Sequence, residues 1–222
     1  MLDVTLDVLL AAHILAGGVA LLAGAGAIVT KKGRTRHNQL GKYYGLSMGF
    51  VTTSAVPLSI AIESWFLLAI AVFSGYLVLA GYRVIDRRRN RIEEIEAIDW
   101  LCHGSMIVTG VAMVGGGGWA SLSGDPGLAP ALVVFGAIGG ILAAHELRTL
   151  SSEGGDLWID RHITFMGGAF IATVTAAVTV NLTMLPPLAR WLGPTVVGVP
   201  LILYATRIYR PVFAPTHAST AD

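Results

Sequence analysis

The 222-residue chain is 54% hydrophobic and only 13% charged, about half the charge of an average soluble domain (~25%). Its 15 Lys and Arg against 14 Asp and Glu leave a net charge of +1, so the basic residues argue for membrane topology and not for a nucleic-acid partner. The single cysteine, Cys102, cannot form an internal disulfide and says nothing about redox compartment.

Seven hydrophobic stretches follow one another, each long enough to cross a hydrocarbon core of ~30 Å. The N-terminal MLDVTLDVLLAAHILAG lacks a basic leader and a small-residue cleavage site, so it reads as the start of the first span and not as a removable signal. That span is expected over Val8 to Val29, ending at the basic loop KKGRTRHNQLGK. The second is expected over Tyr44 to Ile62, with Pro57 inside it and a tight turn at Glu63 and Ser64. The third runs from Trp65 to Val84 and ends in DRRRNR. IEEIEA, from Ile92 to Ala97, reads as a short amphipathic lead-in to a fourth span over Ile98 to Val114. GGGGWASLSGDPG reads as an irregular loop. Pro130 suits the first turn of a fifth span ending near Leu147. The loop SSEGGDLWIDR precedes a sixth span over His162 to Leu185, and PPLARWLGP precedes a seventh over Pro194 to Ile208, the one that could instead be re-entrant. The reading is one transmembrane helical domain over 1–210 and a short polar tail over 211–222.

Threading the spans in order puts Lys31, Lys32, Arg34, Arg36, Lys42, Arg83, Arg87, Arg88, Arg89, Arg91, Arg148, Arg161, Arg207 and Arg210 on one side, with only Arg190 opposite. Basic loops stay cytoplasmic, so the expectation is an all-α, polytopic bundle in a cytoplasmic (inner) membrane, N-terminus outside and C-terminus inside. Trp65, Trp119 and Trp191 fall at the outer boundary and Trp100 and Trp158 at the inner one, as indoles do at a bilayer interface. Gly41, Gly45 and Gly49, and again Gly136 and Gly140, recur every four residues, a spacing that lets helices approach closely in lipid. Tight internal packing accounts for them better than a dimer seam, with a homo-oligomer or a membrane-protein partner left open. Thr175, Thr179 and Thr183 form a polar stripe, read as hydroxyls bonded to their own helix or across to a neighbour.

An ionisable side chain inside a span is costly unless paired, hydrated or ligated. His13 stands alone near the outer face. His37, His103, His145 and His162 fall near the inner face, accompanied by Asp99, Glu146, Asp156 and Asp160. Imidazole and carboxylate together can ligate zinc, iron or manganese. Two facing imidazoles can hold a b-type haem, and His–carboxylate chains can relay protons. The expected cofactor site is His103, His145 and His162 with Asp99 and Asp160 behind them; a metal site would add His37. No HxxxH or HExxH spacing supports a specific metal.

HILAGGVALLAGAGAIVTKKGRTRHNQLGKYYGLSM resembles the opening of the DUF2306-type membrane proteins, through His13, Gly17, Gly24, His37, Gly41 and Tyr44. DWLCHGSM and WIDRHITFMGGAFIATVTA are similar to later blocks of that family, although Gly104 follows His103 where a basic residue is expected. The resemblance implies the architecture and marks His37, His103 and His162; it carries no activity. A looser likeness is to small haem b membrane cytochromes, from which the chain departs in having only His13 near the outer face. Three readings stay open: a haem or metal protein with a redox or redox-assembly role, a proton-coupled transporter, and a structural or assembly membrane protein with no site.

Overall fold

A backbone surrounded by lipid must satisfy its N–H and C=O groups within its own segment, which makes helices the expected solution. The computed structural model of the protein, which describes residues 2–124, 126–151 and 158–213, has seven α-helices and no strand among those residues. They are α1 (Leu2–Val29), α2 (Thr35–Ala61), α3 (Trp65–Asn90), α4 (Ala97–Leu122), α5 (Ala129–Ser151), α6 (Trp158–Asn181) and α7 (Pro187–Phe213). At ~1.5 Å per residue each is over 30 Å long. All but α2 are long and apolar enough to cross a membrane on composition.

The doubtful span is therefore α2 and not the seventh, which forms an uninterrupted helix of 27 residues despite Pro194 and Pro200. Ser47, Thr52, Thr53, Ser54 and Ser59 dilute the hydropathy of α2, but its tertiary contacts follow α1 from end to end. His37 Nδ1 donates to the Ala27 carbonyl at 3.0 Å near one end, and His13 Nδ1 shares a hydrogen bond with Ser54 Oγ at 2.9 Å near the other. An antiparallel partner matched over that length crosses whatever α1 crosses. The protein is a multi-pass helical membrane protein.

The helices pair as antiparallel neighbours, α1 with α2, α4 with α5 and α6 with α7, and α3 packs against α2, α4, α5 and α6. The central position of α3 is visible in its buried residues Phe73, Leu77, Ala80, Val84 and Arg87, which alternate steps of four and three. Asp99, His103, Met106, Gly110, Met113 and Gly117 do the same on α4. That spacing keeps one seam facing a neighbouring helix. By contrast α7 has no buried residue among those described, consistent with a lipid-facing position at the bundle edge.

Two expectations need correcting. Gly115 to Gly118 do not form a loop: α4 continues through them to Leu122. The reason is packing, because a Cβ on Gly117 would lie 2.8 Å from the Ala129 carbonyl oxygen and 2.7 Å from Val133 Cγ2. Nor do the spaced glycines act equally. A Cβ on Gly110 would lie 2.7 Å from the Gly136 carbonyl oxygen, so α4 and α5 touch backbone to backbone. Gly45 receives the Tyr82 ring, whereas Gly41 and Gly49 face open space. The threonine stripe behaves as expected at Thr175 and Thr179, whose hydroxyls donate to the Ile171 and Ala176 carbonyls at 2.8 Å each. Thr183 lies beyond the end of α6.

Side chains close the helix ends. Ser64 caps α3, its Oγ accepting from the Leu67 N–H at 3.3 Å. Ser64→Ala is expected to lower stability by about 1 kcal/mol, seen as a small drop in the thermal midpoint of the detergent-solubilised protein. Lys32 Nζ donates to the Ala27, Ile28 and Thr30 carbonyls at the end of α1 and lies 5.6 Å from the Tyr209 ring centre. Partial burial there pulls its pKa below the usual lysine value. Arg190 Nη1 donates to the Thr179 carbonyl at 2.7 Å, which gives the lone basic residue of the opposite face a structural role. The tail expected from 211 starts later, since α7 runs to Phe213, and residues 214–222 lie outside those described, as does Asp156.

Candidate functional site

The last two turns of α3 and the first turn of α4 build an ionic network around Asp99, which is 0% exposed. Arg83 Nε donates to Asp99 Oδ1 at 2.7 Å and Arg87 Nη1 to Oδ2 at 2.6 Å. The Glu96 N–H adds a bond to Oδ2 at 3.0 Å, and Glu96 and Asp99 form a reciprocal capping box at the start of α4. Arg83 also pairs with Asp86 and Glu96. Arg87 holds the connecting segment as well, donating to the Glu94 and Glu93 carbonyls at 2.8 and 3.0 Å. The segment Ile92–Glu96 is non-helical, entered through Arg91 at φ 53°. In sequence, Arg83 and Arg87 are visible chiefly as topology markers. Their i, i+4 spacing at the end of one helix, facing an acid at the start of the next, was the available signal.

One turn deeper on α4 is His103, 2% exposed, about 9 Å along the helix from its start at ~1.5 Å per residue. Its Nδ1 shares a hydrogen bond with the Tyr76 hydroxyl at 3.3 Å. The Tyr76 and Phe165 rings enclose the imidazole, with centres 5.6 and 6.5 Å from it. Glu146 and Asp99, together with Arg161 and Arg87, are close enough to act on it electrostatically. Glu146 is 2% exposed and accepts from Arg161 Nε at 2.7 Å. Tyr76 and Cys102 also feel Glu146. The result is a buried polar patch on α3, α4, α5 and α6, just inside the Asp99 network.

The other expected site residues are placed differently. His145 is exposed on the outward face of α5, while its neighbour Glu146 points inward. The phase is set by Ala131, Phe135 and Ala143, all buried on the α5 face that continues to Glu146. His162 Nδ1 donates to the Gly81 carbonyl at 3.3 Å, and His162 and His37 are near enough to interact electrostatically. Asp160 does not orient a histidine; it pairs with Arg210 and ties α6 to α7. Asp99 is likewise taken up by Arg83, Arg87 and the Glu96 N–H rather than by His103. His13 remains apart, held by Ser54. The four inner histidines thus separate into His103 with Glu146, His37 near His162, and an outward His145.

Among the described residues no group of three or more His, Cys, Asp or Glu is placed to share a metal ion. A haem at His103 meets a different obstacle: the Tyr76 and Phe165 rings fill the space beside the imidazole, and Met106, 0% exposed, is packed one turn along the same helix face. No family model matches the chain, and comparison with curated proteins and with solved structures finds no match.

Proposed function

We propose that the protein transfers protons at His103, as part of a proton-coupled transport function. The observation that carries this reading is a buried imidazole bonded to a tyrosine hydroxyl, with the Glu146 carboxylate nearby, at a depth where an ionisable group is expensive. Imidazole is suited to the task because its ordinary pKa lies near neutrality. In this scheme His103 accepts and releases the proton and Tyr76 fixes the ring. Glu146, neutralised in part by Arg161, supplies the second carboxylate. The Asp99–Arg83–Arg87 network holds the ends of α3 and α4 in place and presents polar groups toward the basic-loop end.

The protein reconstituted in liposomes carrying a pH-sensitive dye is expected to dissipate an imposed proton gradient. His103→Ala should reduce that rate by about tenfold or more, the low end of what a positioned acid–base group contributes. Glu146→Gln, which keeps size and shape, should reduce it less. A His103→Ala protein that elutes as a normal monodisperse species and conducts at the wild-type rate would refute the assignment.

A haem or metal reading has a separate support in His37 and His162. Both donate Nδ1–H to a backbone carbonyl, the second-shell arrangement common to ligating imidazoles, and among the described residues neither Nε2 has a hydrogen-bond partner. An absorption spectrum and metal analysis of the purified protein distinguish the readings. A haem band or a stoichiometric metal abolished by His162→Ala, with proton flux unaffected by His103→Ala, would favour the redox alternative.

A further inference from the structure

At the end of the bundle that carries the basic loops, the α1–α2 connection encloses a cleft of about 420 Å³ lined by Val29, Thr30, Lys31, Arg34, Thr35 and Arg36. The lining is unusual in what it leaves unused. None of the ion pairs among the described residues involves Lys31, Arg34 or Arg36. Lys32, their neighbour, is committed to the carbonyls at the end of α1. So three cations border the cleft while the fourth closes a helix.

The backbone adds to the same field. Residue Arg34 is the N-cap of α2, yet no side chain caps the helix and no acidic residue lies in its first turn. The first intrahelical acceptor is used by Asn38, whose N–H bonds to the Arg34 carbonyl at 3.0 Å. The N–H groups before it have no intrahelical partner, and the helix end carries partial positive charge. Thr30 Oγ1 donates to the Ala27 carbonyl at 3.1 Å, whereas Thr35 lines the cleft with no hydroxyl bond among the described residues.

The geometry points to a phosphate-binding site in this cleft, filled by a phosphate ester of an anionic lipid headgroup or by free phosphate. Three basic residues and an uncapped helix N-terminus match the charge and acceptor oxygens of either ligand. The cleft is lined by residues 29–31 and 34–36, just past the apolar run of the first candidate span, where a chain leaving the hydrocarbon meets the headgroup region.

The test uses the full chain in phosphatidylcholine nanodiscs carrying a trace of spin-labelled phosphatidylglycerol or spin-labelled phosphatidylcholine. Wild-type protein should immobilise the anionic label in preference to the zwitterionic one by about tenfold or more, since each basic side chain near an anionic surface contributes appreciably. Thr35→Glu keeps all three cations, and with them the topology signal, but places a carboxylate on the open helix end. It should erase the preference while leaving α2 folded, an acid in the first turn being favourable to a helix. Should that variant not fold, Arg34→Gln with Arg36→Gln is read the same way. Arg89→Gln with Arg91→Gln removes equal charge from another loop and should leave the preference in place. Inorganic phosphate is titrated in parallel: displacement of the label at low millimolar phosphate identifies free phosphate as the ligand, and its failure to compete identifies the lipid. A preference that survives Thr35→Glu, or falls equally in the Arg89/Arg91 variant, overturns the site, as does wild-type protein that favours neither label and binds no phosphate.

Discussion

Replacing Asp99 with alanine is expected to be the most damaging single change in the molecule, costing about 3–5 kcal/mol. The carboxylate accepts from Arg83, from Arg87 and from the Glu96 N–H while wholly buried. Arg83 retains Asp86 and Glu96 when it is gone. Among the described residues Arg87 retains two backbone carbonyls and is 8% exposed, so an unneutralised guanidinium stays inside the bundle. The α4 capping box is lost at the same time. The measurement is monodisperse yield and thermal midpoint in detergent. Asp99→Asn should fall between wild type and alanine, because one acceptor oxygen remains. Joint Asp99→Leu and Arg87→Met should recover part of the loss, since apolar groups of similar volume can replace a buried ion pair at little cost. A normal midpoint for Asp99→Ala would mean that Arg87 finds water, and that the network is less sealed than its geometry indicates. Glu146 offers an internal contrast: its partner Arg161 is 21% exposed and can turn toward solvent, so Glu146→Ala should be milder.

The second large effect belongs to Gly110. Valine there brings a branched side chain to a position where even a Cβ would be 2.7 Å from the Gly136 carbonyl oxygen and 3.1 Å from Gly140 Cα. Both are backbone atoms, so no side chain can swing aside and the helices must separate. Overpacking of this kind costs about 1–3 kcal/mol, and parting α4 from α5 should also move His103 on α4 away from Glu146 on α5. Thermal midpoints should fall in the order Gly110→Ala, then Gly110→Val. Gly104→Val, on the same helix but facing open space, is the control and should leave the midpoint close to wild type. Equal effects at the two glycines would show that helix propensity, not interhelical contact, is responsible.

The number and order of the helices were legible because hydrophobic runs broken by basic loops leave little choice in lipid. Their ends were less so. Gly115 to Gly118 read as a loop by the rules of soluble helices, where glycine costs about 1 kcal/mol against alanine. Here Gly117 is needed so that the Ala129 carbonyl can approach α4. His37, His103, His145 and His162 lie toward the basic-loop end of the bundle, each near the end of its helix. Their azimuth was not legible. Neighbouring residues on a helix point about 100° apart, so His145 and Glu146 could not be told apart without the phase of α5. That phase was present in the small residues Ala131 and Ala143, whose spacing was not combined with the acid. Asp99 reads from sequence as a partner for a histidine, but its oxygens are occupied by Arg83, Arg87 and the Glu96 N–H, and the sign of a charge alone does not say which acid an arginine faces.

The pairing of Arg83 and Arg87 with Asp99 has a consequence for biogenesis. The last two turns of α3 carry four arginines, Arg83, Arg87, Arg88 and Arg89, and an arginine in a membrane segment is costly unless it is paired or reaches the interface. The neutralising carboxylate is supplied by the next helix to be synthesised, across a connection of only six residues, 91–96. Pairing across so short a connection lowers the cost of placing Arg83 and Arg87 at the end of a membrane segment, so α3 and α4 are expected to insert together as a hairpin.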